Sequence, residues 1–368
     1  MIGTDLKFDF DDILIEPQAT TNITSRYKDI ELPKRLPLFT APMDTVVDTT
    51  NYQEFLNRGI NVCFPRTIPF MNELYLSDHL RGKNSFPSIG LNQYERLCHN
   101  FPTVLKSFSN ILIDVANGHM TENIIHAAEE IKRFNPKIKI MVGNIANPET
   151  YWVYAESNCI DYIRVGIGNG GGCLTTKQSG IGYPMASLIH EMRLIKEEFI
   201  KNVEYNRKNG NGLLKLKQYN VIPAIVADGG MKDYADIVKA LALGADNVML
   251  GSIFNKALES CAPNYYRGKK IDQKRAEKVF LRGEKVEKHF RGMSTKGAQK
   301  AMGKTHIKTS EGVERRRPVE YTLEKWVENF EHYLRNAMSY SNAKTLDEFI
   351  GKVPICQITT RAYDRFNK

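Results

Sequence analysis

The sequence has no run of the ~20 apolar residues that a membrane-spanning helix needs. Its first residues, Met1-Ile2-Gly3-Thr4-Asp5-Leu6-Lys7, contain no apolar signal-peptide core. Neither a membrane partner nor a cleaved leader is expected, and the expected location is cytoplasmic. Cysteine is sparse: six residues, at 63, 98, 159, 173, 261 and 356, with no Cys-x-x-Cys pair. That argues against a zinc knuckle or a redox dithiol and leaves reduced thiols, mostly buried as small apolar side chains. Low-complexity segments and sequence repeats are also missing. The basic clusters Arg267-Gly-Lys-Lys270 and Arg315-Arg-Arg317 lack interleaved aromatics, so nucleic acid is not the expected partner.

What is present fits a globular protein: 42% hydrophobic and 25% charged residues. The net charge of +9 suits either a solvated basic surface or an anionic small molecule such as a nucleotide. The length of 368 residues suits one large α/β barrel, and we read 1–368 as a single domain.

Short apolar runs alternate with helical patterns. Strands are expected at Leu36–Ala41, Ile60–Phe64, Pro87–Leu91, Ile111–Ala116, Ile138–Gly143, Tyr162–Ile167, Ile222–Ala227 and Val248–Gly251. They are apolar on both faces, as strands of a covered parallel sheet are. Helices are expected at Thr121–Phe134, Pro148–Asn158, Pro184–Asn202 and Lys232–Leu243. Eight such units predict a (β/α)8 TIM barrel, with a doubly wound open sheet as the alternative. Lys7–Pro17 reads as a short strand or extended arm. Leu194–Gln218 reads as an extended helix followed by an exposed loop at Asn209-Gly-Asn-Gly212. Residues 262–318, rich in Lys and Arg, read as a mobile flap with a short hairpin. The terminal segment 319–368 carries helices at Tyr321–Met338 and Thr345–Ile350 and a strand at Pro354–Thr359.

Barrel active sites lie at the C-terminal ends of the strands. Asp228-Gly229-Gly230 and Gly251-Ser252 end the seventh and eighth strands, where backbone N–H groups commonly hold a phosphate. Asp228, itself an anion, suits ribose hydroxyls instead. After the sixth strand comes a glycine-rich loop, Gly166-Ile-Gly-Asn-Gly-Gly-Gly-Cys173, with one thiol and Thr175 two residues on. Thiolates act as nucleophiles and are favoured near helix N-termini; the next expected helix begins near Pro184. Glu311, in the flap, is a candidate carboxylate base.

In order along the chain, Asp9–Pro17, Ala41-Pro-Met-Asp-Thr-Val46, Asp114-Val-Ala-Asn-Gly118, Gly143-Asn144, Val165–Gly168 with Cys173-Leu-Thr-Thr176, Gly180–Pro184, Ala227–Gly230, Gly244–Ser252, Arg291-Gly-Met-Ser294 and Ser310-Glu-Gly312 resemble the family of inosine-monophosphate dehydrogenase and guanosine-monophosphate reductase. The resemblance implies a tetrameric barrel acting on a purine nucleoside monophosphate, with Cys173 adding to C2 to form a thioimidate. The reductase expels ammonia from GMP and uses NADPH; the dehydrogenase oxidises IMP with NAD. The resemblance also assigns roles. Cys173, Thr175 and Glu311 are catalytic. Asn144, Gly171, Asp228, Gly229, Gly230, Gly251, Ser252, Arg291, Gly292, Met293 and Ser294 bind substrate. Asp114, Asn117, Gly118 and Arg66 bind cofactor. The carbonyls of Gly168, Gly170 and Cys173 hold potassium (K+).

The branch rests on details. The dehydrogenase resemblance implies an Arg-Tyr pair in the flap, whereas here Arg-Tyr occurs only at Arg26-Tyr27. The short flap, the Asp114–Gly118 and Gly180–Pro184 motifs and the missing insertion after Arg66 resemble the reductase. Ala227–Gly230, Glu311–Glu314 and Met338–Lys344 resemble the dehydrogenase. Departures from the family pattern are Gly171 in place of serine, Asn169 in place of proline, Phe290 in place of tyrosine and Pro65-Arg66 in place of His-Lys. The insertion around Leu194–Gln218 has no counterpart. These changes touch nucleotide contacts and admit a deoxynucleotide substrate. The reductase is the expected function, the dehydrogenase the first alternative, and an inactive nucleotide- or nucleic-acid-binding relative the alternative of another class.

Overall fold

A computed structural model describes residues 5–67, 81–209, 221–303, 306–307 and 309–366. Strand β1 (Ile13–Ile15) is followed by eight parallel strands: β2 (Leu38–Thr40), β3 (Val62–Phe64), β4 (Ser85–Ile89), β5 (Asn110–Asp114), β6 (Lys139–Ile145), β7 (Tyr162–Val165), β8 (Ala224–Asp228) and β9 (Asn247–Leu250). They pair in the order β2-β9-β8-β7-β6-β5-β4-β3. A parallel bridge between Phe39 and Asn61 joins β2 to β3, with Thr40 N–H donating to the Asn61 carbonyl at 2.9 Å. The ring is therefore closed. It is the expected TIM barrel, and closure removes the doubly wound alternative.

All eight expected strands are present. Side chains alternate across the sheet, and this sets the site. Phe39, Cys63, Phe86, Leu112, Met141, Val226 and Met249 point inward, with Tyr162 packed against them. Their neighbours Leu38, Val62, Ile111, Ile113, Ile163, Ile225 and Val248 point out to the helices. Each such burial contributes about 1.5–3 kcal/mol. Residues two places past an inward residue face the same side. Asp114 follows Leu112, Arg164 follows Tyr162 and Asp228 follows Val226 in this way. A charged layer thus lies on the apolar one, at the C-terminal end of the barrel.

The helix Thr121–Phe134 has the expected bounds and buries Ile124, Ala127, Ala128 and Ile131. Met185–Asn209 is one continuous helix; the loop expected at 209–212 lies outside the described residues past Asn209. Two helices that the sequence pattern did not indicate, Leu91–Asn100 and Pro102–Ser107, follow β4.

The segment expected as a flap contains the expected hairpin and more. Most of it is a folded antiparallel sheet of β10 (Asn264–Tyr266), β11 (Lys269–Ile271), β12 (Glu287–Arg291) and β13 (Glu314–Pro318), in the order β11-β10-β12-β13. Its own small core contains Leu258, Ile271, Ala276, Val279, Val286 and Val319. These residues are scattered along the chain, so no apolar run announces them. Strand β14 (Ile355–Gln357) pairs antiparallel with β1 and ties the C-terminal segment to the N-terminal arm.

Candidate active site

The C-terminal mouth of the barrel opens into a cavity of about 380 Å³. Cys173, Thr175, Glu311, Asn144, Asp228, Ser252, Met293, Ser294, Arg66 and Asp114 line it, with the glycines at 168, 170, 171, 229, 230, 251 and 292. The expected residues therefore converge from six strand ends and the flap.

Its floor is a chain of charges. Arg164, only 5% exposed, donates to Asp114 Oδ1 from Nη1 and to Asp228 Oδ2 from Nη2, both at 2.7 Å. Arg66 Nε lies 2.9 Å from Asp114 Oδ2. Asn144 Nδ2 donates to Asp228 Oδ2 at 2.8 Å and to the Gly166 carbonyl at 2.9 Å. Burial works against the Arg164 charge, but Asp228 and Asp114 outweigh it and hold the guanidinium above its ordinary value. Burial likewise opposes the Asp114 carboxylate, and Arg66 and Arg164 overcome it, holding Asp114 below the usual range. Asp228 Oδ1 has no donor among the described residues, so one oxygen of this fixed carboxylate remains for a ligand. Gly143 makes the arrangement possible: a Cβ there would lie 2.6 Å from Arg164 Cβ.

Arg164 is the residue the motif reading missed. Its signal was a lone arginine inside an apolar strand, two residues past Tyr162 on the inward face.

The Cys173 loop is ordered by its contacts. Cys173 is half-buried, and its Sγ lies 3.2 Å from Thr175 Oγ1. The helix beside it is the short Thr175–Ser179, which corrects the expectation of a first helix near Pro184. The flap pairs with this loop as with another strand. Leu174 N–H donates to the Glu311 carbonyl at 2.8 Å, Val313 N–H to the Gly172 carbonyl at 3.0 Å, and Cys173 bridges Gly312 antiparallel. Gly292 N–H donates to the Val313 carbonyl at 3.0 Å. Glycine is needed at 292, where a Cβ would lie 2.4 Å from the Gly172 carbonyl oxygen. The nucleophile loop, Glu311 and the Gly292–Ser294 turn are thus joined in one hydrogen-bonded layer.

At the opposite end, Gly251 precedes the helical turn Ser252–Asn255. Gly171 faces this turn: a Cβ on it would lie 3.6 Å from Ser252 Oγ. Glycine there offers no hydroxyl.

Three expectations fail. Asn117 and Gly118 are not on the cavity wall. Asn117 Oδ1 accepts the His119 N–H at 3.0 Å, and Gly118 N–H donates to the Asn144 carbonyl at 2.8 Å. Tyr154 O–H donates to the Gly118 carbonyl. Gly118 thus holds the turn after β5 against the end of β6 at Asn144, while Asn117 is engaged with His119. Arg291 is also off the wall, because its guanidinium is turned away to pair with Asp44, with Nε at 3.1 Å from Oδ1.

A sequence profile of the IMP dehydrogenase / GMP reductase domain matches residues 101–365, well over half of the chain. The chain belongs to this family. It is 25% identical to GMP reductase 2 of Homo sapiens over 402 aligned positions, covering 100% of this chain and 99% of the relative. It is 26% identical to a GMP reductase of Streptococcus pyogenes, over 92% of each chain. The inosine-5'-monophosphate dehydrogenase of Aquifex aeolicus is 30% identical over 262 residues, 69% of this chain but 45% of the relative. The chain thus matches about half the length of the dehydrogenases. No helix among the described residues is long and apolar enough to cross a membrane.

Proposed function

We propose that this protein is a purine-nucleotide oxidoreductase that converts GMP or dGMP to IMP or dIMP with release of ammonia. The observation that carries the reading is the placement of the Cys173 thiol 3.2 Å from the Thr175 hydroxyl, on one cavity wall with Glu311. In this reading the Cys173 sulfur adds to C2 of the purine and the 2-amino group leaves as ammonia. Thr175 and Glu311 move the proton that the departing amine needs. NADPH supplies the hydride that replaces sulfur at C2. Covalent attachment splits one difficult substitution into two easier steps. The free Asp228 oxygen accepts from ribose hydroxyls, Gly229, Gly230, Gly251 and Ser252 hold the phosphate, and Met293 and Ser294 meet the base. Arg66 and Asp114, at the far end of the cavity, meet the nicotinamide nucleotide. Potassium on the carbonyls of Gly168, Gly170 and Cys173 belongs to the same reading. The Gly170 carbonyl already accepts the Cys173 N–H at 2.9 Å and keeps one lone pair for an ion. A single domain over 1–368, a homotetramer and a cytoplasmic location complete it.

Two observations favour reductase over dehydrogenase. The full-length match is to reductases. The sole Arg-Tyr pair is held on the outer helix Leu323–Tyr340, where Arg26 donates to Asn336 Oδ1 at 2.8 Å and the Tyr27 hydroxyl lies 2.7 Å from His332 Nδ1. Neither residue lines the cavity. The dehydrogenase reading is favoured by the higher identity of the 262-residue match. Purified protein mixed with GMP or dGMP and NADPH should consume the reduced nicotinamide, followed by its absorbance. NADH formation from IMP and NAD, without that loss, assigns the dehydrogenase instead. Nucleotide binding with neither turnover assigns an inactive relative.

A further inference from the structure

The flap sheet carries a cationic face packed behind Phe290, which lines the cavity. In the β12–β13 ladder, Lys288 is opposite Arg317 and Phe290 opposite Arg315. Directly opposed residues share a sheet face, as do residues two apart, so all four lie on one side. That side is the one facing the barrel, since Lys288 and Phe290 are both buried there. The Arg317 guanidinium lies 5.1 Å from the Phe290 ring centroid and the Arg315 guanidinium 5.8 Å from it. Among the described residues, neither arginine has a carboxylate partner.

Arg317 is also tied to the phosphate turn. Its Nη1 donates to the Ser252 carbonyl at 3.2 Å. Its Nε and Nη2 have no acceptor among the described residues. The side chain is half-buried, and burial, then the neighbouring Arg315, pull its pKa below the ordinary arginine value. A charge held this way gains most from an anion. Two side-chain hydroxyls are missing beside that turn. Gly171 presents no side chain to Ser252, and Phe290 has no hydroxyl.

We propose that Arg317 is a phosphate-recognising residue of this chain, supplying to the 5′-phosphate of the nucleotide the charge-assisted hydrogen bonds that Gly171 and Phe290 leave unmade. This rests on the nucleotide-enzyme reading above and goes beyond it by naming the residue that selects a phosphorylated substrate. Arg315, more exposed and on the same ring, adds to the field. Lys288 does not compete for the phosphate, because its ammonium is buried against the Ser260 carbonyl at 2.5 Å.

The test compares GMP with guanosine by calorimetric titration of the whole protein and three variants. For Arg317→Leu the GMP Kd should rise about ten- to hundredfold, the loss expected of a charged hydrogen bond. Guanosine binding should be unchanged, so the preference for the phosphorylated ligand narrows. The salt dependence of GMP binding should flatten in the same variant, and Arg317→Lys should restore part of it. Arg316→Gln alters the opposite face of the sheet, where its guanidinium stacks 3.8 Å from the Tyr265 ring, and should leave the GMP Kd alone. Equal GMP affinity in wild type and Arg317→Leu overturns this inference and leaves the nucleotide reading standing. A wild type that binds neither GMP nor IMP overturns both. A parallel loss of GMP and guanosine binding makes Arg317 a purely structural residue and also overturns it; Arg317→Gln, closer in shape, repeats the comparison should the leucine variant misfold.

Discussion

The Arg164 guanidinium holds Asp228 and Asp114 at once, 2.7 Å from an oxygen of each, in the layer above the barrel's apolar interior. Two carboxylates from β5 and β8 are thus paired in a buried place with one arginine from β7. Removing that arginine strands them. For Arg164→Leu we expect a loss of about 3–5 kcal/mol in unfolding free energy, measured by denaturant titration, since breaking a buried ion pair leaves uncompensated charge. Adding Asp114→Asn and Asp228→Asn should recover much of it. A loss below ~1 kcal/mol would mean that the carboxylates find other partners.

The same network has a pH signature. Asp114 is held below the usual carboxylate range in the folded state. Its contribution is therefore fully present above the unfolded value and lost as pH falls through the lowered folded one. The stability difference between wild type and Asp114→Asn should shrink on acidification below the ordinary carboxylate pKa. A difference that stays constant through that range would show Asp114 to be unshifted.

Cys173 carries the proposed chemistry. Cys173→Ala should abolish turnover and spare nucleotide binding. Thr175→Val and Glu311→Gln should each lower kcat by about 10²–10⁴-fold, the usual span for a group that moves a proton. Undiminished turnover in Cys173→Ala sinks the covalent route.

The barrel was legible in the sequence because its strands are apolar on both faces and evenly spaced. The cavity was legible for a related reason: glycines and polar residues gather at the strand ends, as around Asp228 and Gly251. Pair-specific facts were not. Nothing local to Arg291 shows that Asp44 claims its guanidinium. Nothing in Asp114–Gly118 shows that the motif divides, with Asp114 in the cavity and Gly118 holding Asn144. The four-stranded sheet of the flap was not legible because its apolar residues, such as Leu258, Val286 and Val319, are distant in sequence and meet only in the folded chain. Arg164 was readable by alternation from Tyr162, once the inward face of β7 is known.

The hydrogen-bonded layer between flap and nucleophile loop depends on close backbone approach. A Cβ at Gly292 would lie 2.4 Å from the Gly172 carbonyl oxygen. Gly292→Ala must push the two segments apart and weaken the Val313-to-Gly172 bond. We expect kcat to fall at least about tenfold, since a 1 Å displacement can cost 10²-fold, with little change in the unfolding midpoint. Wild-type kcat in this variant would show that the flap need not pair with the loop during turnover.

Lys288 is fully buried, with Nζ 2.5 Å from the Ser260 carbonyl and 3.5 Å from that of Ala262, and no carboxylate in contact among the described residues. Burial pulls its pKa down to about 8, against an ordinary 10.5. Below pH 8 the lysine is charged in both states, and the folded state bears the cost of a buried charge. Between the two values the unfolded chain binds a proton that the folded chain does not, so stability rises with pH; above both, the effect is complete. The span corresponds to roughly 3 kcal/mol at 1.36 kcal/mol per unit. Lys288→Met cannot titrate there. Unfolding free energies of both proteins, measured from pH 7 to 10.5, should show wild type gaining on the variant as pH rises. A gap that does not change over that range would mean that Lys288 keeps its ordinary pKa inside the fold.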